Sequence, residues 1–323
     1  MSSGRFLLRL PPTVHAYLAA RAERLGLSLN EYCVRKLGGP EAVGLAEPAA
    51  LAIREQAEAV AGALLVGIVV HGSWARGEAG TTSDVDVLVV VESSLPLTRA
   101  LYRTWDGEAL TWAGRPVDAH FLHLPSEPER AGGVWCEAAV DGIVLHDPEG
   151  RVEPVLRRIR RAIADRRLVR KRAHGQPYWT AAAEGSSMQN QDLAADYVRR
   201  ASARLLALDV LFDQQSWADV VREAQEIVEL ALKGLLRASG VEPPRIHDVA
   251  DVLREELARL PADIKPHVAK LADASRGLRR DRELAFYGAE DLTPSDFYRQ
   301  TDAIGARDAA RFVVESVRPH VLR

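Results

Sequence analysis

Apolar positions along this chain shift between a two-residue and a helical period, and each shift marks a change in structure. Residues 4 to 10 (GRFLLRL) alternate, with Phe6, Leu8 and Leu10 on one face and Arg5, Leu7 and Arg9 on the other, the pattern of a half-buried strand. Pro11-Pro12 end it. Val14, Tyr17, Leu18, Arg21 and Leu25 then follow helical spacing up to Gly26. Ser28 to Glu31 reads as a capping box for a second helix through Leu29, Tyr32, Cys33 and Leu37, stopped by Gly38-Gly39-Pro40. One strand and two helices in about forty residues cannot bury a core alone, so a homodimer is the minimum this segment demands. Beyond a linker from Glu41 to Pro48, a helix is expected from Ala49 to about Gly62. The runs Leu64 to Val70, Val85 to Val91 and Val117 to Leu122 read as buried strands. From Asn190 the period is helical throughout. Its strongest stretch, Ser216 to Ser239, carries an apolar stripe of Val220, Val221, Ala224, Ile227, Val228, Ala231, Leu232 and Leu235 and stops at Gly240. His247-Asp248 is expected to open another helix, and Thr293-Pro294-Ser295-Asp296 to start the last.

These elements predict an α+β multidomain chain. The segments are 1–40 as strand, helix and helix, 48–150 as an α/β domain with a mixed sheet, 151–185 as a basic helical connector, and 186–323 as an all-α bundle. In the connector the arginines of LRRIRRAIADRRLVRKR, Leu156 to Arg172, are expected all round a helix, as a solvated linker or an RNA-gripping patch.

Composition narrows the function classes. With 42 Lys and Arg against 45 Asp and Glu the chain is near neutral, so any nucleic-acid binding must be local. Such a place exists at the start, where six basic residues (Arg5, Arg9, Arg21, Arg24, Arg35, Lys36) face two acidic ones (Glu23, Glu31). Cys33 and Cys136 are too few and too far apart for a metal knuckle or a disulfide framework, which suits a reducing cytosol. Ala63 to Val70 is too short an apolar run to span a bilayer, so no membrane partner is expected and the expected location is cytoplasmic.

The chemistry concentrates in GSWARGEAGTTSDVDVLVV. Gly72-Ser73 is followed by ten residues and then by Asp84-Val85-Asp86. Side chains two apart on a strand share a face, so Asp84 and Asp86 are a carboxylate pair that a cation must reconcile. Asp118, heading the third apolar run, is a third carboxylate from a neighbouring strand. It is expected to complete a metal shell or to take the proton of an attacking hydroxyl. Gly72 lets backbone approach a phosphate, Ser73 offers a hydroxyl and an amide, and Arg76 stands one turn on, placed to touch a phosphate or water. The plainer reading makes Asp84 and Asp86 turn residues that open a strand, which leaves the glycine-serine spacing unexplained.

This constellation resembles the minimal nucleotidyltransferases of the DNA polymerase β-like superfamily, whose hallmark is glycine-serine, ten residues, then Asp-any-Asp. The resemblance implies Asp84, Asp86 and Asp118 as catalytic and metal-holding residues, two Mg2+ ions, and ATP as substrate. Gly72, Ser73 and Arg76 would meet the triphosphate.

The first segment, LRLPPTVHAYLAARAERLGLSLNEY, resembles the ribbon-helix-helix family and within it the HicB-like antitoxins. Two copies would intertwine, and Arg5, Leu7 and Arg9 would read DNA in the major groove. The ribbon read without the resemblance is a dimerisation device only. The C-terminal part, from about Gln189, resembles the HEPN family through AQEIVELALKGLLRASGVEPPRIHDV and RRDRELAFYGAEDLTPSDFY. The family's ribonucleases use an Arg, four residues, His, any residue, Tyr motif, and nucleotidyltransferase partners silence them by adding AMP to that tyrosine. The candidates here are Arg280 or Arg282 and Tyr287, with Ala285 where the first register needs histidine. Tyr287 is an AMP acceptor or a core tyrosine, the core reading being the expectation. His247 is a substitute acid-base group or a packing residue, packing being the expectation.

The leading expectation is a metal-dependent nucleotidyltransferase moving AMP from ATP to a hydroxyl. The acceptor is expected on a protein, a HEPN-type protein among the candidates, in a toxin-antitoxin-like system with DNA-binding autoregulation. The alternatives are a DNA-binding regulator with an idle, nucleotide-sensing transferase fold, an aminoglycoside nucleotidyltransferase, and a HEPN ribonuclease.

Overall fold

The computed structural model describes residues 9–24, 29–30, 33, 48–80, 82–181, 191–287 and 292–322. Arg5, Leu7 and the expected N-terminal strand therefore lie outside the described residues, apart from its last two positions. Helix α1, Pro12–Arg24, forms where the helical period predicts it, and Arg9 is exposed ahead of it.

Chain contacts divide the protein into two compact units, Met1–Ser126 with Glu137–Arg160, and Glu127–Cys136 with Arg161–Arg323. The first unit is built on a five-stranded sheet of β1 (Leu65–His71), β2 (Val85–Val91), β3 (Thr111–Trp112), β4 (Arg115–His123) and β5 (Ile143–His146). Its order is β3-β4-β2-β1-β5, mixed as expected, with β2 and β4 parallel and the other neighbours antiparallel. The apolar runs are nearly continuous because the central strands are covered on both faces. On one face Ile68, Val70, Val85, Val87, Val89 and Phe121 pack with α2 (Pro48–Ala61), through Ile53 and Ala57, and with Leu101 and Trp105. Leu101 and Trp105 belong to α4 (Arg99–Trp105), which follows the short α3 (Gly72–Ala75). On the other face Val69, Leu88 and Val90 are buried as well. Gly67 is required there by close approach: a Cβ on it would stand 2.6 Å from Val152 Cγ2 and 2.7 Å from the His146 carbonyl oxygen.

The segment expected to be a helical connector is different. Helix α5 (Gly133–Asp141) precedes β5, and α6 (Val152–Ala164) follows it. After α6 the chain forms a hairpin of β6 (Leu168–Ala173) and β7 (Gln176–Ala181), and β7 also pairs with β8 (Val241–Glu242). The arginines do not fall all round α6 either. Val152, Leu156, Ile159 and Ala162 recur at helical spacing and are buried, which leaves Arg157, Arg158 and Arg161 together on the exposed side.

The second unit is mainly helical. Helices α7 (Gln191–Asp213), α8 (Trp217–Ala238), α9 (Ala250–Glu255), α10 (Val268–Tyr287) and α12 (Gln300–Val321) share one core, with α8 contributing Val220, Ala224, Ile227, Val228, Ala231, Leu232 and Leu235. Thr293 caps a helix as predicted, its hydroxyl accepting from the Asp296 amide. That helix is only the short α11 (Pro294–Phe297), and the last helix begins at Gln300 behind Arg299. The hairpin is tied to the bundle through the buried carboxylate of Glu256. It accepts from Lys171 Nζ at 2.6 Å, Tyr178 Oη at 3.1 Å and Arg259 Nε at 2.9 Å. Burial, with Glu255 and Glu256 beside it, pushes the Tyr178 phenol far above its ordinary range. Among the described residues no helix is long and apolar enough to cross a membrane.

Candidate active site

Strand register decides which of the candidate carboxylates meet. Asp86 pairs with Asp118 across the parallel β2–β4 ladder and with His71 across the antiparallel β1–β2 ladder. Paired residues on neighbouring strands, about 4.8 Å apart, project to the same face. His71, Asp86 and Asp118 therefore form one polar row across the centre of the sheet, at the end where β1 turns into α3. Asp84 lies exposed immediately before β2, Asp118 is exposed, and Asp86 is partly buried. His71 escaped the sequence reading, because its place in the row depends on cross-strand register.

The glycine-serine turn packs directly on this row. Gly72 has φ +77°, and a Cβ added to it would stand 2.0 Å from Asp86 Oδ2 and 2.9 Å from its Cγ. Glycine is thus needed twice here, for the left-handed backbone and for the carboxylate beside it. Ser73 follows on α3, and Trp74 stacks at 4.5 Å between centroids on Trp112, which is buried in β3. That tilted ring contact anchors the turn to β3. The loop that returns the chain to Asp84 is held by Arg115 at the start of β4, whose guanidinium donates to the Ser83 carbonyl at 3.0 Å and also to that of Gly80. Arg115 is a second residue the sequence reading missed. Arg76 forms an ion pair with Glu78, Nε to Oε2 at 2.8 Å, so a phosphate reaching it would compete with that carboxylate.

Among the described residues no three His, Cys, Asp or Glu side chains stand close enough to form a ready-made metal cage. The donor set nevertheless fits magnesium. That ion keeps several waters and is usually held by one or two carboxylates plus substrate phosphates rather than by protein alone. Partly buried Asp86 and exposed Asp118, adjacent across the ladder and beside the glycine turn, would supply that kind of partial shell.

Substitution of Gly72 by alanine tests the packing. The variant is expected to lose about 1–3 kcal/mol of stability from backbone strain. It is also expected to transfer nucleotide about 100-fold more slowly, because Asp86 must move by an ångström or so. Thermal denaturation and initial rates check both, and a variant with unchanged midpoint and rate would show that the glycine does not serve Asp86.

Three family models match the chain in order: the HicB family at residues 1–37, the nucleotidyltransferase domain at 53–134, and the HEPN domain at 194–320. The chain is a fusion of these three modules. No curated protein matches it. A solved structure, the nucleotidyltransferase-like protein from Exiguobacterium sibiricum 255-15, is similar at 11% identity with a TM-score of 0.42, covering 84% of this chain and 77% of its own. The nucleotidyltransferase match takes in Gly72, Ser73, Asp84, Asp86 and Asp118, the residues of the turn and the carboxylate row.

In the HEPN module the motif candidates lie on α10. Arg280 is on that helix, and Arg282 Nη2 stands 3.7 Å from Glu226 Oε1. Arg204 lies between Glu223 at 3.4 Å and Glu226 at 3.9 Å. Burial pushes the Glu223 carboxyl up, Glu226 adds to this, and Arg204 and Arg222 oppose it. Ala285 is buried at 3% exposure, so the position where the first register needs histidine faces the core. His247 Nδ1 sits 2.9 Å from Glu229 Oε2. Burial disfavours the Glu229 charge, but Lys233, His247 and Gln225 outweigh it and hold that carboxyl below its ordinary range.

Tyr287 overturns its expectation. It is 79% exposed, with its ring edge-on to Phe286 at 4.5 Å, and is no core residue. It ends α10 beyond the last buried position, Ala285, where the helix no longer faces the bundle.

Proposed function

We propose that the protein is a metal-dependent adenylyltransferase that moves AMP from ATP onto a protein hydroxyl, and that Tyr287 of its own HEPN module is an acceptor. The reading is carried by the Asp86–Asp118 register with the Gly72 turn packed on Asp86, and is supported by the nucleotidyltransferase match. Asp84 and Asp86 would hold magnesium, with Asp118 completing the shell or acting as base. Bound Mg2+ would neutralise the charge that builds on the triphosphate. Gly72 admits the phosphates to the backbone of the turn, and Ser73 donates to them. Asp118 takes the proton as the acceptor oxygen bonds to the α-phosphorus. The bond from that phosphorus to the bridging oxygen breaks, and pyrophosphate leaves.

The exposure of Tyr287 supports it as acceptor. Incubation with magnesium and ATP labelled at the α-phosphate is expected to label the chain, and Tyr287→Phe to remove most of that label. Label that persists in Tyr287→Phe would discard the acceptor and keep the transferase, whereas no transfer to any acceptor, added HEPN proteins included, would discard both. A cytoplasmic setting agrees with an ATP donor and with Cys33 and Cys136 as free thiols.

The HicB match supports a DNA-binding, dimeric first module, with Arg5, Leu7 and Arg9 as readers and repression of the chain's own promoter as its use. Operator binding that weakens steeply with salt and is lost in Arg9→Ala is the expected result.

A further inference from the structure

Helix α7 buries Ala194, Val198, Ala201 and Leu208 against the bundle. Its opposite face carries a second pattern: Arg199, Ala203, Leu206, Val210 and Asp213 follow one another at spacings of four and three residues, and all are exposed. Leu206 is 73% exposed and Val210 61%, among the most exposed large apolar side chains described. A stripe of alternating four and three is the seam by which two helices pack along their length. Among the described residues the core of the unit is served by the other face.

The charges at its ends decide what covers it. The stripe runs from arginine at its N-terminal end, with Arg200 beside Arg199, through three apolar positions, to aspartate at its C-terminal end. It spans 15 residues, roughly 21 Å of helix. Turned end for end about Leu206, the stripe is complementary to itself. Arg199 meets Asp213, Ala203 meets Val210, and Leu206 meets Leu206. An isologous two-fold contact needs that self-complementarity, and a parallel pairing would set arginine against arginine.

We propose that α7 pairs antiparallel with α7 of a second copy of this chain, on a two-fold axis passing beside Leu206. A seam this short buries less than a standard interface, so the pairing is weak and salt-sensitive by itself. The surface belongs to the HEPN module and depends neither on transferase activity nor on the N-terminal segment.

Position-specific cross-linking of the full chain tests it, because it reads this helix whether or not the chain also pairs elsewhere. In a Cys33→Ser background, Leu206→Cys is expected to form a disulfide-linked dimer under mild oxidation at least about tenfold faster than Val140→Cys, an exposed control in the other unit. Adding Arg199→Asp is expected to slow that cross-link about tenfold, and adding Asp213→Arg as well to restore it. Cross-linking at Leu206→Cys no faster than at Val140→Cys would overturn the proposal, and so would a rate indifferent to the charge exchange. A second readout uses the same cross-link: adding Val210→Glu to Leu206→Cys is expected to slow it about tenfold, and a rate indifferent to that change would also overturn the proposal.

Discussion

Replacing Asp86 by asparagine is expected to abolish nucleotidyl transfer, by about a thousandfold or more, while making the protein slightly more stable. On the proposed reading the loss follows because the amide keeps the shape but removes the charge at the centre of the row, where metal and triphosphate would be gripped. The gain follows from register. Asp86 and Asp118 stand side by side on adjacent parallel strands, and like charges so placed cost about 0.2–1 kcal/mol. Removing one relieves the other. Steady-state transfer from α-labelled ATP and a urea titration measure the two effects together. Activity lost together with stability would give Asp86 a structural role, and full activity in Asp86→Asn would remove the transferase reading altogether.

The largest effect on stability is expected at Glu256. Its carboxylate is 3% exposed and bonds Lys171, Tyr178 and Arg259, so Glu256→Ala takes the carboxylate from Arg259, leaves Lys171 with only Glu255 at 3.2 Å, and should cost about 3–5 kcal/mol. Burial alone would pull the Lys171 ammonium down, and Glu256 with Glu255 more than offsets it, so the lysine depends on the pair. Adding Lys171→Met is expected to recover part of the loss, because a half-buried charge left with one of its two carboxylates is removed. Urea unfolding checks it. A loss under about 1 kcal/mol for Glu256→Ala would mean that the hairpin is held to the bundle by packing alone.

Strands β1, β2 and β4 were legible because their apolar runs are long and buried on both faces. The spacing from Gly72-Ser73 to Asp86 was legible because it lies within one continuous stretch. What sequence could not carry was register: that Asp86 stands between His71 and Asp118, or that Arg115 reaches back to the loop before Asp84, depends on pairings made across the sheet. The β6–β7 hairpin was lost for another reason. Its first strand, LVRKRA, has three consecutive basic residues at its centre, and Lys171 reads as a surface charge until Glu256 is placed beside it. Tyr287 was misjudged because an aromatic at helical spacing usually packs inward, and only the end of α10 shows that the bundle has already closed before it.

The short segment Glu127–Cys136 belongs to the second unit, yet the chain returns from it to finish the first with Glu137–Arg160. Helix α5 thus begins in one assembly and ends in the other. A cut after Arg160 keeps the whole of the first unit on one fragment but takes Glu127–Cys136 from the second, so the C-terminal fragment is expected to fold less stably than the intact chain.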